Sequence, residues 1–208
     1  MKLQVALDIL KLEDAIEIAE KVAKAGAHIL EAGTPLIKSE GIKAVKELKR
    51  RFPDKIIFAD MKIMDTGRLE TEMASKAGAD IVQVLGAAPD DTIKEAIKAG
   101  KEFDIKICCD LIGIKDPIAR AVYLEKLGVD FINLHIGIDQ QKKSDYPYQT
   151  LKELCEKTNI PIIVAGGIND ININSIKEFR VDTVIVGGFI TKSKDPFAAT
   201  KNILSKMI

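Results

Sequence analysis

Residues 80–137 read DIVQVLGAAPDDTIKEAIKAGKEFDIKICCDLIGIKDPIARAVYLEKLGVDFINLHIG, and short apolar runs alternate there with longer stretches of helical period. The apolar runs are residues 80–86, 105–113 and 130–137, and the helical stretches are residues 90–100 and 116–127. Runs of this length and Val/Ile content are typical of buried strands. Strict alternation of strand and helix predicts a parallel sheet with helices packed outside it.

The same strand and helix unit recurs eight times in the 208 residues. The other strand runs are residues 3–8, 28–33, 56–62, 161–167 and 183–188. The other helical stretches are residues 12–25, 39–51, 67–78, 146–157, 172–179 and 195–208. Asp116 and Asp195 each precede a proline, as expected where a helix begins. Gly26, Gly78 and Gly128 stand where helices should end.

Eight such units predict one α/β domain over residues 1–208, a (β/α)8 TIM barrel. An open, doubly wound parallel sheet is the alternative architecture. A dinucleotide-binding sheet of that kind carries Gly-x-Gly-x-x-Gly after its first strand. No such motif follows residues 3–8, which favours the closed barrel.

The overall composition argues against several classes of function. Lys+Arg and Asp+Glu both total 31, so the chain has no basic field for nucleic acid. The first apolar run meets Asp8 early, and no later run approaches the roughly 20 residues that span a bilayer. Cys108, Cys109 and Cys155 show neither disulfide nor metal-ligand spacing. We therefore expect a cytoplasmic protein without a nucleic-acid or membrane partner.

Ionisable side chains stand where four of the eight predicted strands end. Asp8 ends the first strand and Glu31 the second, Asp60 and Lys62 end the third, and His135 lies near the end of the sixth. Catalytic groups of such barrels come from these strand ends. We therefore expect the five side chains to meet at one mouth of the barrel.

The third strand carries the densest cluster of charge. Regular alternation places Asp60 and Lys62 on the barrel-facing side, and Asp65 lies in the following loop, which predicts that the three charges converge. Flanking acids would keep Lys62 protonated and directed at an enediolate or enolate. A structural ion pair at the barrel mouth is the alternative interpretation.

Other strand-end residues predict a metal ion and a proton carrier. Glu31 and Asp60 end neighbouring strands and offer hard oxygen ligands, which suit Mg²⁺ or another oxygen-preferring divalent ion such as Mn²⁺. His135 is suited to general acid or base chemistry near neutral pH. His28 begins the second strand, at the other end of the barrel, and is expected to be structural.

Glycine pairs end the last two strands, Gly166-Gly167 in one and Gly187-Gly188 in the other. Phosphate sites of these barrels frequently use the loops after strands seven and eight, where backbone N–H groups point at the anion. The two pairs therefore predict a phosphorylated ligand.

These residues lie in segments that resemble one enzyme family along nearly the whole chain. The segments are LQVALD (3–8), EAGTP (31–35), ADMKIMD (59–65), LHIGIDQQ (134–141), AGGI (165–168) and VIVGG (184–188). The chain is similar to the 3-hexulose-6-phosphate synthase family, within the suprafamily of 3-keto-L-gulonate-6-phosphate decarboxylase and orotidine-5'-phosphate decarboxylase. The Asp-x-Lys-x-x-Asp signature at Asp60, Lys62 and Asp65 marks the suprafamily. The His-x-Gly-x-Asp-x-Gln segment that begins at His135 resembles the synthase.

The resemblance implies an aldolase that reversibly joins D-ribulose 5-phosphate and formaldehyde to D-arabino-hex-3-ulose 6-phosphate. It implies that Glu31 and Asp60 hold Mg²⁺ and that Lys62 stabilises the enediolate. It also implies that His135 moves the proton at C1 and that Asp8 orients substrate hydroxyls.

The resemblance further implies a homodimer in which Asp65 reaches into the neighbouring subunit's active site.

Two other functions stay open. The gulonate-phosphate decarboxylase would use the same metal and enediolate but release CO₂, and its family carries arginines where this chain has Ile136-Gly137-Ile138. A non-catalytic sugar-phosphate sensor would have no need of a proton-transfer base such as His135.

Overall fold

The computed structural model describes residues 1–141 and 146–208. Its strands are β1 (Lys2–Leu7), β2 (Ile29–Ala32), β3 (Ile56–Ile63), β4 (Ile81–Leu85), β5 (Lys106–Asp110), β6 (Phe131–His135), β7 (Ile162–Ala165) and β8 (Thr183–Val186). They pair in parallel with their chain neighbours, and β8 pairs with β1 to close the barrel. The predicted (β/α)8 barrel is therefore confirmed, and each predicted apolar run overlaps one strand.

Helices connect the strands on the outside of the barrel. They are α1 (Leu12–Ala25), α2 (Thr34–Glu40), α3 (Lys43–Arg51), α4 (Gly67–Lys76), α5 (Asp90–Glu102), α6 (Pro117–Leu127), α7 (Tyr148–Lys157), α8 (Ile173–Ile176), α9 (Gly188–Thr191) and α10 (Pro196–Lys206). None of those in the described ranges is both long and apolar enough to cross a bilayer.

The helix boundaries correct the predictions in three places. Residues 39–51 do not form one helix, because Gly41 takes a φ of 71° and separates α2 from α3. The helix predicted over residues 172–179 is reduced to α8. The short helix α9 begins at Gly188, a residue that the prediction placed in a strand. By contrast, Asp116 caps α6 as predicted, accepting a hydrogen bond at 3.0 Å from a backbone N–H three residues on.

The inside of the barrel changes from apolar to polar along the strands. Its apolar cluster comprises Ala6, Ile29, Phe58, Ile81, Cys108, Ile163, Ala165 and Ile185. Strand side chains alternate in direction, so the residue two positions further along also points inward. Phe58 is followed by Asp60 in this way, and Gln83 and Asp110 follow the inward residues of β4 and β5. Polar side chains therefore gather at the C-terminal ends of the strands.

Strand β3 departs from regular geometry where the predicted charge cluster lies. Its register with β4 shifts between Ala59 and Ile63, and Lys62 has a left-handed φ of 50°. This conformation costs a residue with a side chain about 1–2 kcal/mol. Asp60 and Lys62 do face the same space, but an irregular strand brings them there and not the regular alternation that was predicted.

Candidate active site

A cavity of about 930 Å³ opens at the C-terminal ends of the strands. The predicted site residues that line it are Asp8, Glu31, Asp60, Lys62, His135, Gly166, Gly167, Gly187 and Gly188. Residues contributed by distant parts of the chain are thus brought to one mouth of the barrel.

Asp65 requires a correction, because it does not converge with Asp60 and Lys62 within one chain. Its side chain is exposed and lies beside a separate, open cavity of about 560 Å³ at the N-terminal ends of α4 and α5. The chain leaves the barrel mouth after Ile63 and turns through Thr66, whose φ is 49°, into α4. The Asp65 carboxylate accepts a hydrogen bond from the Thr66 backbone N–H at 2.7 Å.

Lys62 is held between two buried carboxylates. Its Nζ donates to Oδ1 and Oδ2 of Asp60 at 2.9 and 2.8 Å, and it lies 3.6 Å from Oδ2 of Asp110. Burial lowers the pKa of Lys62, but the charges of Asp60 and Asp110 oppose this effect and leave the pKa above its usual value. The ammonium therefore stays protonated while it faces the cavity.

His135 is bound to Asp110 at the end of β5. Its Nδ1 lies 2.8 Å from Oδ2 of Asp110, a carboxylate that is completely buried. The backbone N–H of Ile112 donates to the other oxygen, Oδ1, at 2.8 Å. A carboxylate accepts hydrogen bonds, so we assign the proton to Nδ1, which leaves Nε2 available to a substrate.

Glu31 is almost fully buried beneath the cavity, with 4% of its surface exposed. The side chain of Gln4 donates to its Oε2 at 2.6 Å. Burial, followed by the negative charges of Asp60 and Asp8, raises the pKa of Glu31 well above its usual value. A bound cation would offset this crowding of carboxyl groups and favour the ionised form of Glu31.

Asp8 lies in the exposed part of the cavity wall. Reduced access of bulk water and the charge of Asp60 raise the pKa of Asp8, while the charge of Lys62 opposes this. Gly33 makes room for the carboxylate, because a Cβ at that position would overlap Oδ1 of Asp8. A larger residue where β2 runs into α2 would therefore displace this carboxylate.

The glycine pairs form bare backbone at the edge of the same cavity. Gly166 has a φ of 100°, and a Cβ there would overlap the carbonyl oxygen of Ile136. Thr191 and Lys192 line the cavity beside the second pair. Lys192 lies near enough to lower the pKa of Asp8 by its charge. This edge combines open backbone with a positive charge, which suits an anionic group.

Sequence reasoning missed several polar residues of the site. Thr34 donates from Oγ1 to Oδ2 of Asp60 at 2.7 Å, and Gln83 donates to both Asp60 and Asp110. Asp110 carried a usable signal, because it ends an apolar run on β5 just as Asp60 follows one on β3. Five strands, and not the predicted four, therefore bring ionisable groups to the mouth.

The carboxylates fit the chemistry of a magnesium ion. Residues 1–141 and 146–208 contain no group of three or more His, Cys, Asp or Glu arranged around a metal position. Mg²⁺ needs fewer protein ligands, since it commonly takes one or two carboxylates together with water and substrate oxygens. Oε1 of Glu31 has no protein donor among the described residues. Both oxygens of Asp60 accept hydrogen bonds from Lys62, so an ion at Asp60 would replace part of that contact.

Known proteins resemble the chain over its whole length. Residues 1–203 match the family model described as orotidine 5'-phosphate decarboxylase / HUMPS family. The chain is 44% identical over 203 residues to 3-hexulose-6-phosphate synthase of Mycobacterium gastri, covering 98% of both chains. A crystal structure of 3-hexulose-6-phosphate synthase matches with a TM-score of 0.95, 43% identity and 100% coverage of both chains. A crystal structure of 3-keto-L-gulonate-6-phosphate decarboxylase from Vibrio cholerae matches with a TM-score of 0.88 and 27% identity, covering 99% of this chain and 96% of that one.

Proposed function

The chain is a lyase-type enzyme of the orotidine 5'-phosphate decarboxylase / HUMPS family, and from this premise we propose that it catalyses the 3-hexulose-6-phosphate synthase reaction. In this reaction D-ribulose 5-phosphate adds reversibly to formaldehyde and gives D-arabino-hex-3-ulose 6-phosphate. The observation that carries the proposal is the pair of linked contacts at the barrel mouth, Lys62 on Asp60 and His135 on Asp110. They place a fixed positive charge and a proton acceptor in one cavity.

The first step is proton transfer from the substrate. Nε2 of His135 takes the proton from C1 of D-ribulose 5-phosphate, and the electron pair of the broken C–H bond forms the 1,2-enediolate. Asp110, bound to Nδ1 of His135, stabilises the imidazolium that results. The ammonium of Lys62 stabilises the negative charge that develops on the substrate oxygens.

The second step forms the carbon–carbon bond. The C1=C2 electron pair of the enediolate forms the new bond to the carbonyl carbon of formaldehyde while the C2 oxygen becomes a carbonyl again, and the electron pair of the formaldehyde C=O double bond moves to the formaldehyde oxygen. The imidazolium of His135 returns its proton to that oxygen, which becomes the new hydroxyl group. Atoms and charges balance without a further reactant.

Other residues bind and orient the sugar phosphate. Asp8 accepts hydrogen bonds from substrate hydroxyl groups at the cavity wall. Backbone N–H groups of the two glycine loops bind the phosphate together with Lys192. Mg²⁺ or Mn²⁺, held through Glu31 and Asp60, would supply Lewis-acid stabilisation of negative charge on substrate oxygens.

The proposal includes a homodimer in which Asp65 serves the neighbouring subunit's site. Three apolar side chains on the loop of Asp65 and on the helix that follows it are exposed, with Met64 at 49%, Leu69 at 56% and Met73 at 41%. Exposed apolar groups on one short segment favour a protein interface. Asp65 lies outside the cavity of its own chain, so it is free to contribute elsewhere.

Mixing two inactive variants tests the shared site. Asp65→Asn and His135→Asn are each expected to be inactive, because each lacks one residue of every site. An equal mixture of the two variants that re-associates at random should recover about a quarter of wild-type activity, since about half of the dimers are mixed and one of the two sites in each regains both residues. Native mass spectrometry measures how many mixed dimers form. Mixed dimers that stay inactive would contradict a shared site.

The competing activity in this family is decarboxylation of 3-keto-L-gulonate 6-phosphate. An assay with both substrate sets decides between them, and we expect kcat/KM to be higher for D-ribulose 5-phosphate with formaldehyde. Faster release of CO₂ from the keto-gulonate phosphate would show that the enzyme is the decarboxylase and not the aldolase.

The cytoplasmic location and the lack of a nucleic-acid partner stay predictions from the sequence.

A further inference from the structure

Gln83 is a buried amide on β4, between the strands that carry the two halves of the site. Asp60 lies on β3 and Asp110 on β5, the two neighbours of β4. Only 2% of the surface of Gln83 is exposed, and the mechanism above gives it no contact with a reacting atom. Its position nevertheless makes it the one described residue that donates to both of these carboxylates.

All the hydrogen-bonding groups of this side chain have partners. Nε2 donates to Oδ1 of Asp60 and, at 3.0 Å, to Oδ2 of Asp110. Oε1 accepts from Nδ2 of Asn133 at 3.1 Å and lies 3.9 Å from Sγ of Cys108. Carboxylates accept hydrogen bonds and Asn133 donates one, so the orientation of the amide is fixed by its surroundings.

The electrostatics of the site explain why an amide is suited to this position. Asp60 and Asp110 are both buried and share the positive charge of Lys62. A carboxylate at low dielectric needs hydrogen-bond donors as well as a counter-ion. The amide has two N–H groups and no charge, so it supports both carboxylates without changing the balance around Lys62.

We propose that Gln83 is a positioning residue, whose two N–H groups hold Asp60 and Asp110 at a fixed separation. Lys62 is bound to Asp60 and His135 to Asp110. This separation therefore also sets the distance between the ammonium that stabilises the enediolate and the imidazole that removes the proton to form it. The effect on turnover rests on the proposed function, whereas the effect on Asp110 and His135 does not.

Two substitutions at Gln83 test the effect on turnover. Gln83→Met keeps a long unbranched side chain but has no donor, and Gln83→Glu keeps the shape but donates at most one hydrogen bond. We expect kcat to fall about 10- to 100-fold in both variants, as is typical when a partner of a catalytic or metal-binding group is removed. Gln83 lines the cavity, but the proposed mechanism assigns it no contact with the sugar phosphate, so the KM for D-ribulose 5-phosphate should change by less than about 3-fold.

Thr183→Val is the matched control. Thr183 is fully buried on β8 and donates from Oγ1 to Asp182 at 2.7 Å, so the control also removes one hydrogen bond while leaving the mouth untouched. Circular dichroism and urea unfolding show that each variant is folded. If kcat stays within about 2-fold of wild type in the folded Gln83 variants, or falls equally in Thr183→Val, the positioning role is wrong.

A second readout needs no substrate and separates this inference from the proposed function. His28 and His135 are the only histidines in the sequence, so the spectrum of ¹⁵N-histidine-labelled protein holds two ring systems. We expect the Nδ1–H signal of His135 to shift in both Gln83 variants, while the ring signals of His28 stay in place. An unchanged His135 signal would overturn the inference. A wild type without aldolase activity would instead reject the proposed function, and the spectra would still decide the role of Gln83.

Discussion

Replacing Lys62 by Ala or Met is expected to abolish nearly all turnover, lowering kcat by about 10²–10³-fold. Lys62 is the lysine whose ammonium lies within 4 Å of both Asp60 and Asp110, and the proposed mechanism assigns to it the stabilisation of the enediolate charge. Lys62→Met retains the length of the side chain, so its loss of activity reports the charge alone. Steady-state kinetics with D-ribulose 5-phosphate and formaldehyde measures the effect.

Lys49→Met is a matched control for this substitution. Lys49 has 30% of its side chain exposed, against 24% for Lys62, and it pairs with Asp80 at 3.0 Å. Removing either ammonium leaves a carboxylate without its partner, so both variants should lose stability, and urea unfolding measures that loss. Activity should fall only in the Lys62 variants. A Lys62→Met enzyme with nearly wild-type kcat would exclude Lys62 from the mechanism.

Replacing His135 by Asn is expected to remove proton transfer, with kcat lower by about 10²–10⁴-fold. The amide of Asn has an N–H that can reach Asp110 much as Nδ1 of His135 does, but it cannot accept a proton near neutral pH. The proton step can be followed alone. D-ribulose 5-phosphate in D₂O without formaldehyde should exchange its C1 hydrogen in the wild type, and NMR should detect no such exchange in His135→Asn.

His28→Asn is the control for the second histidine. Nδ1 of His28 accepts a hydrogen bond from the backbone N–H of Leu3 at 3.1 Å, at the opposite end of the barrel. Burial lowers the pKa of His28, which agrees with the predicted structural role of a neutral ring. Exchange at C1 should therefore continue at the wild-type rate. Persisting exchange in His135→Asn would assign the base to another residue.

The sequence predicted the barrel well because periodicity and composition are local signals. Each strand of a fully wrapped parallel barrel is buried on both faces, so it is visible as an apolar run bounded by turn residues. Boundaries that depend on single backbone angles were not visible in the same way. Gly41 divides a predicted helix by its left-handed φ, and Gly188 begins a helix where a strand end was predicted.

The sequence predicted the site residues that lie at the C-terminal ends of strands. Asp8, Glu31, Asp60 and His135 were found by that rule. Asp110 obeyed the same rule and was overlooked.

The regular alternation of strand side chains could not predict two features of β3 and the loop that follows it. The left-handed conformation of Lys62 depends on the register shift with β4, which is a tertiary property. The spacing of Asp60 and Asp65 also gave no sign that the chain turns out of the cavity at Thr66.

The central claim is that a metal ion and the linked groups at the barrel mouth together catalyse addition to formaldehyde. Consumption of D-ribulose 5-phosphate, measured with and without formaldehyde and with and without a chelator, tests it most directly. We predict formaldehyde-dependent consumption that stops on chelation and returns with excess Mg²⁺. Consumption of D-ribulose 5-phosphate that does not depend on formaldehyde, or that continues unchanged in the presence of the chelator, would contradict the claim.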